Sequence, residues 1–122
     1  MTDTSIVRRY LTAMQAADGT RAAALFTSDG VLDDYRGGHR VGRDVIREYL
    51  NARPFRTIDF LTDVIAEGPR MTAYAEMNYD DGRGRRLVRF VFTVDGGAIA
   101  HLCNSSVEFV PNDLRIDPPV RL

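Results

Sequence analysis

The hydrophobic pattern of this chain changes once, and that change limits the folds that the chain can adopt. Up to about residue 53, apolar residues recur every three to four positions, which is the period of an amphipathic helix. From residue 57 onward they alternate with polar residues, which is the period of a half-buried strand. Helices first and a run of strands afterwards predict an α+β domain rather than alternating strand and helix units.

Three helices are predicted before the change of period. The first carries one apolar stripe at helical spacing: Ile6, Tyr10, Leu11, Met14 and Ala17. A short second helix is predicted over residues 21–26 and a third over residues 43–53. Residues 31–35, between the second and third helices, are predicted to form a short strand.

Four longer strands are predicted over residues 57–67, 71–79, 87–94 and 98–110. Short turns rich in aspartate and glycine, at 80–84 and 95–97, favour hairpin connections. The prolines of residues 111–122 make that segment a poor continuation of helix or strand, so we expect a C-terminal tail. An antiparallel meander covered by helices on one face would enclose a hollow suited to a small ligand.

Composition narrows the classes of function. The 122 residues predict a single domain over 1–122, and 16 basic against 17 acidic residues argue against nucleic-acid binding. No lysine is present, which excludes Schiff-base chemistry on a lysine amine. One cysteine, Cys103, and two distant histidines, His39 and His101, argue against a metal centre, and we expect no cofactor. No apolar run is long enough to span a membrane and no secretory signal is recognised, so a cytoplasmic protein is expected.

Several local motifs together resemble one known superfamily. They are the "ALFTSDGVLDD" helix, turn and strand, the "GHRVGRDVIREYL" glycine before the third helix, and the "DGGAIAHL" hairpin. In these segments the chain resembles the nuclear transport factor 2-like superfamily, and most of all its SnoaL-like and ketosteroid-isomerase-like group, up to about Val110. The resemblance implies a cone-shaped α+β barrel, with three N-terminal helices packed on a curved antiparallel sheet. It also implies a homodimer formed through the outer face of that sheet.

The resemblance assigns candidate catalytic residues position by position. Tyr10 matches the tyrosine that donates to a substrate oxyanion in ketosteroid isomerases, and Asp34 matches the base that shuttles a proton. The position of the second, acidic donor holds Val88, so one of three catalytic positions is lost. Tyr49 matches an aromatic position that lines the pocket. The alignment also turns Asn104 inward, where its amide would orient Asp34 or bind a substrate carbonyl.

Strand alternation gives an independent argument for some of these residues. Asp33 and Asp34 are adjacent and must face opposite sides, and Asp34 shares a face with Leu32. Asp34 is therefore expected inside and Asp33 in solvent. On the last strand Asn104 and His101 lie on opposite faces, and a shift of one residue would bring His101 into the cavity instead. The remaining expected pocket wall consists of Met14, Tyr49, Phe60, Val88, Phe90, Leu102 and Ser106.

Three classes of function follow. The first is a small enzyme that isomerises, cyclises or dehydrates a hydrophobic, even polycyclic, substrate by cofactor-independent proton transfer. The second is a non-catalytic ligand-binding protein, which predicts a filled cavity and an Asp34 held by backbone donors. The third is a protein-interaction module. The basic run Arg83, Arg85, Arg86 and Arg89 indicates only a solvated hairpin.

Overall fold

The computed structural model describes residues 4–34, 37–52, 57–79 and 84–121. Its helices are Ser5–Gln15 (α1), Gly19–Ala23 (α2) and Arg43–Asn51 (α3), and a short 3-10 helix covers Asn112–Leu114. Its strands are Phe26–Asp33 (β1), His39–Val41 (β2), Thr57–Thr62 (β3), Ile65–Glu67 (β4), Arg70–Tyr79 (β5), Gly84–Asp95 (β6), Ala98–Ser106 (β7) and Arg115–Arg121 (β8). None of the helices in these ranges is long and apolar enough to cross a membrane.

The strands form one curved, open sheet in the order β2-β1-β7-β6-β5-β3-β8, with β4 beside β5. The predicted antiparallel meander is confirmed for β5, β6 and β7. The sheet as a whole is mixed, because β1, for which the sequence predicted no partner, runs parallel to β7. The whole meander separates these two strands along the chain, so no hairpin joins them. A long crossover connection allows parallel pairing, whereas a hairpin gives antiparallel pairing.

The helices differ from the prediction in length. Only α1 is long, because α2 has five residues and α3 has nine, and α3 lies between β2 and β3 along the chain. Asp18 caps α2, accepting a hydrogen bond from the Arg21 backbone N–H at 3.0 Å. The predicted end of the third helix at residue 53 and most of the predicted turn at 80–84 lie outside the described residues.

The C-terminal segment corrects the prediction of a tail. Residues 115–121 form β8, which pairs antiparallel with β3 and places Phe60 opposite Val120. Two prolines are tolerated because β8 is at the edge of the sheet, where a missing backbone donor faces no partner strand. The side chain of Arg121 also forms an ion pair with Asp59 of β3. The strand predicted over residues 57–67 is split into β3 and β4.

The core lies between α1 and the inner face of the sheet. Tyr10, on the buried stripe of α1, contacts Phe26 and Phe92 edge-on, with ring centroids 5.9 Å and 5.5 Å apart. All three rings are almost completely buried. Edge-to-face contact adds to the burial of apolar area, so these rings fix α1 over β1 and β6.

Candidate functional site

A small cavity of about 20 Å³ lies between α1, α3 and the inner face of β5, β6 and β7. By volume it has room for about one water molecule. Its described walls are apolar, aromatic or amide side chains and include no charged group. They are Tyr10, Leu11, Met14, Tyr49, Leu50, Met77, Tyr79, Val88, Phe90 and Asn104.

Asn104 is the polar amide of this wall. It lies on β7 directly opposite Phe90 of β6, on the inner face of the sheet. Its Oδ1 atom is buried, and no described residue donates a hydrogen bond to it. His101 pairs with Thr93 and lies on the outer face. The register therefore resolves the alternative left open by the sequence in favour of Asn104.

Three tyrosines line the cavity from different elements. Tyr10 comes from α1, Tyr49 from α3 and Tyr79 from the end of β5. The Tyr79 hydroxyl lies 3.9 Å from the sulfur of Met77, which also lines the cavity. Aromatic rings with polar hydroxyls are typical of sites that hold a largely apolar ligand in one orientation.

Asp34 lies just beyond β1, behind Tyr49 and outside the described cavity wall. Its carboxylate is buried and, among the described residues, accepts hydrogen bonds from the Gly38 backbone N–H at 3.0 Å, Arg40 Nη1 at 3.1 Å and the Tyr49 hydroxyl at 2.5 Å. Each donor favours the charged carboxylate, so each competes with a proton that Asp34 would take from a substrate. Tyr10, Tyr49 and Asn104 thus share the cavity, and among the described contacts it is the Tyr49 hydroxyl that connects Asp34 to it.

Arg40 is a member of this site that the sequence reasoning missed. It lies on β2 opposite Leu32, and its guanidinium stands over the Tyr49 ring, 3.5 Å from the centroid. The same guanidinium forms the ion pair with Asp34. The sequence does contain a signal for this pair. Arg40 follows Asp34 after the turn residues Gly37 and Gly38, and this is the spacing of a hairpin that would bring the two side chains together.

The other expected pocket residues divide into two groups. Met14, Val88 and Phe90 line the cavity as expected. Three residues lie outside its described wall. Phe60 is buried on β3 beneath the Arg8 guanidinium, Leu102 is buried opposite Phe92, and Ser106 is exposed at the end of β7. Reasoning from the sequence missed four apolar and aromatic wall residues: Leu11, Leu50, Met77 and Tyr79.

Arg86 also differs from its expected place in a solvated hairpin. It is opposite the cavity residue Met77 and two positions from the cavity residue Val88, so it shares the inner face with both. Its Nε atom is buried, and no described residue accepts its hydrogen bond. The neighbouring Arg85 faces outward and pairs with Glu76 at 3.5 Å.

Asp33 is part of a separate cluster on the outer face. It was expected to be solvated, but one carboxylate oxygen lies 2.5 Å from His39 Nδ1 and the other 2.7 Å from His101 Nε2. The hydrogen bond to His101, followed by that to His39, lowers the pKa of Asp33 from its ordinary value of 3.8. The two imidazoles meet different oxygens instead of converging on one point. Within the described part of the chain, no group of three histidine, cysteine or acidic side chains is arranged to hold a metal ion.

Comparison with known proteins identifies the family. The sequence profile of the SnoaL-like domain matches residues 7–102, so this protein belongs to the SnoaL-like domain family. The resemblance noted in the sequence is thereby confirmed. No curated protein matches the chain.

Solved structures share the fold at low sequence identity. A protein from Sphaerobacter thermophilus is 24% identical, with a TM-score of 0.77, and the match covers 89% of this chain and 99% of that one. A protein from Catenulispora acidiphila with a ketosteroid isomerase-like fold, in complex with trimethylamine, is 18% identical (TM-score 0.72; 84% and 85% covered). A candidate polyketide cyclase from Sinorhizobium meliloti is 20% identical (TM-score 0.73; 84% and 95% covered). These similarities show the fold, which hosts more than one activity.

The ion pair between Arg40 and Asp34 gives a stability prediction. Arg40→Gln leaves the buried carboxylate without its cation, and we expect a loss of about 3 kcal/mol in the free energy of unfolding, measured in urea. Arg47→Gln is the matched control, because Arg47 forms an exposed pair with Asp44 that is worth less than about 1 kcal/mol. Equal losses in the two variants would contradict a special role for Arg40.

The cluster around Asp33 gives a pH prediction. Because its pKa is lowered on folding, the carboxylate adds stability above its ordinary value of 3.8, and this is lost as the pH falls through the lowered pKa. We expect Asp33→Asn to unfold more easily than the wild type at pH 5, by about 1 kcal/mol, and the difference to shrink towards pH 2. Urea unfolding across this range measures the effect. The control is Asp29→Asn, an exposed carboxylate of the same strand, and a difference independent of pH would refute the prediction.

Proposed function

We propose that this protein binds a small ligand, with an apolar body and at least one hydrogen-bond donor, in the cavity beneath α1 and α3. The observation that carries the proposal is Asn104, which lines the cavity and whose Oδ1 is buried without a described donor. A buried acceptor left without a partner costs about 1–3 kcal/mol. A hydroxyl, amide or ammonium group of a ligand would remove that cost.

The size of the cavity limits the ligand. At about 20 Å³ it has no space for a polycyclic skeleton. Met14 and Met77 form part of the wall, and unbranched methionine side chains can re-pack around a guest. A ligand of a few heavy atoms is therefore favoured, and the bound trimethylamine of the relative from Catenulispora acidiphila is of this kind.

The state of Asp34 favours binding over turnover. The non-catalytic alternative predicts a filled cavity and an aspartate held by backbone donors. Asp34 accepts from the Gly38 backbone N–H and also from Arg40 and Tyr49, and it stands outside the described wall. Both features support a ligand-binding member of the family. The pairing of two copies through the outer face and the cytoplasmic location stay predictions.

Methionine methyl groups offer a direct test of binding. We expect 2-propanol, which has a hydroxyl donor, to shift the 13C-methyl NMR signals of Met14 and Met77, but not that of Met71, which is buried outside the cavity. Acetone has a similar size but no donor, and should bind about tenfold more weakly because it leaves Asn104 unsatisfied. Asn104→Leu should abolish the difference between the probes. Equal shifts at all three methionines, or none, would contradict the proposal.

A second candidate, proton-transfer catalysis, is favoured by the 2.5 Å contact between Tyr49 and Asp34. Tyr49 lines the cavity, so a proton leaving a substrate carbon would pass to the Tyr49 oxygen as the Tyr49 proton moves to Asp34. Tyr10 and Asn104 share the cavity and would stabilise the negative oxygen of the resulting enolate.

Hydrogen exchange at carbon tests this candidate. In D2O we expect the wild type to accelerate deuterium incorporation into the methyl groups of acetone, followed by proton NMR, and Asp34→Asn to slow it about 100-fold. Because Asp34→Asn leaves Arg40 without its anion, the double variant Asp34→Asn/Arg40→Gln shows whether a loss arises from unpaired charge. A wild-type rate equal to that of buffer would eliminate the enzyme and leave the binding proposal intact.

A further inference from the structure

Arg86 lies at a position that is unusual for an arginine of a solvated hairpin. Strand alternation places it on the inner face of β6, directly opposite Met77 and two residues before Val88. Both of those residues form the cavity wall, so the guanidinium stem starts beside the cavity. Arg85, one residue earlier, faces outward and is exposed.

The hydrogen bonding of Arg86 is incomplete within the described residues. Its Nε–H is buried, and no described residue accepts from it or forms an ion pair with it. Burying an N–H without an acceptor is costly, and burying part of a permanently charged guanidinium is more so. A carboxylate is the group that best matches this fork, since its two oxygens can accept from Nε and from a terminal nitrogen together.

We infer that Arg86 binds a carboxylate group at one end of the ligand that occupies the cavity. This inference rests on the proposed binding function and names the class of ligand: a small organic acid with an apolar body. The apolar part contacts Met77 and Val88, and the carboxylate faces Arg86. A hydroxyl or amide donor on the same molecule would satisfy Asn104, so a hydroxy acid of a few carbons would pair with both unsatisfied groups once Met14 and Met77 re-pack to enlarge the cavity.

The charges around the cavity also point to Arg86 as the group that would bind an anion. The described cavity wall carries no charge, and the nearby Arg40 is already neutralised by Asp34. Arg86 is therefore the positive group next to the cavity that is left without a counter-ion among the described residues. A neutral ligand of the same shape would leave this charge uncompensated.

Isobutyrate and isobutyramide are the probes, because they share a shape and differ in charge at pH 7. We expect isobutyrate to shift the Met77 methyl signal and the Arg86 Nε–H resonance of the wild type, and to bind at least tenfold more tightly than isobutyramide. Arg86→Gln should abolish this preference. Arg85→Gln removes an equal charge from the other face of the same strand and should leave the preference unchanged.

The outcomes separate this inference from the function on which it rests. If both probes shift Met77 with equal affinity, ligand binding stands and the carboxylate assignment is overturned. If neither probe nor 2-propanol shifts Met14 or Met77, the binding function itself fails. If Arg86→Gln does not fold, the wild type still tests the assignment. The two measurements are then the shift of the Arg86 Nε–H resonance and the preference for isobutyrate over isobutyramide. An equal loss of preference in Arg85→Gln would show general charge attraction and overturn the assignment.

Discussion

The edge-on contact of Tyr10 with Phe26 and Phe92 holds the helical layer to the sheet, and the cavity depends on it. These rings close the space between α1 and the centre of the sheet. The remaining space lies further along α1, towards Met14, and is bordered by α3 and the ends of β5 and β6. Tyr10 thus belongs to both the core and the cavity wall.

Because side chains alternate between the two faces of a strand, neighbouring residues have different partners. Asp34 faces the inner network of Arg40 and Tyr49, while Asp33 bonds the two histidines outside. Arg86 similarly turns inward beside Arg85, which pairs with Glu76 outside. Arg40 and Tyr49 hold the Asp34 carboxylate on the inner side, whereas Asn104 Oδ1 and Arg86 Nε are buried there without a described hydrogen-bond partner.

Local pattern predicted a good part of the fold and of the site. The period-two alternation identified the meander and put Asn104 and His101 on opposite faces of β7, and the family resemblance turned Asn104 inward. The family resemblance supplied Tyr10 and Tyr49, which do line the cavity. Long-range pairing was not predictable in this way. β8 forms because β3 has a free edge, and pairing with that edge outweighs the unfavourable effect of two prolines in a strand. β1 runs parallel to β7 because no short turn joins these two strands and sets their relative direction.

By itself, therefore, the sequence determined the α+β class, the strand faces and the chemical types present: no lysine, one cysteine and two histidines. Alternation and composition are local properties, and local sterics enforce them. Only the tertiary structure decided that Arg40 binds Asp34, that Asp33 bridges two histidines and that the cavity is small. These features depend on distances between elements far apart in the chain. Such distances are set by the packing of the whole core rather than by any one segment.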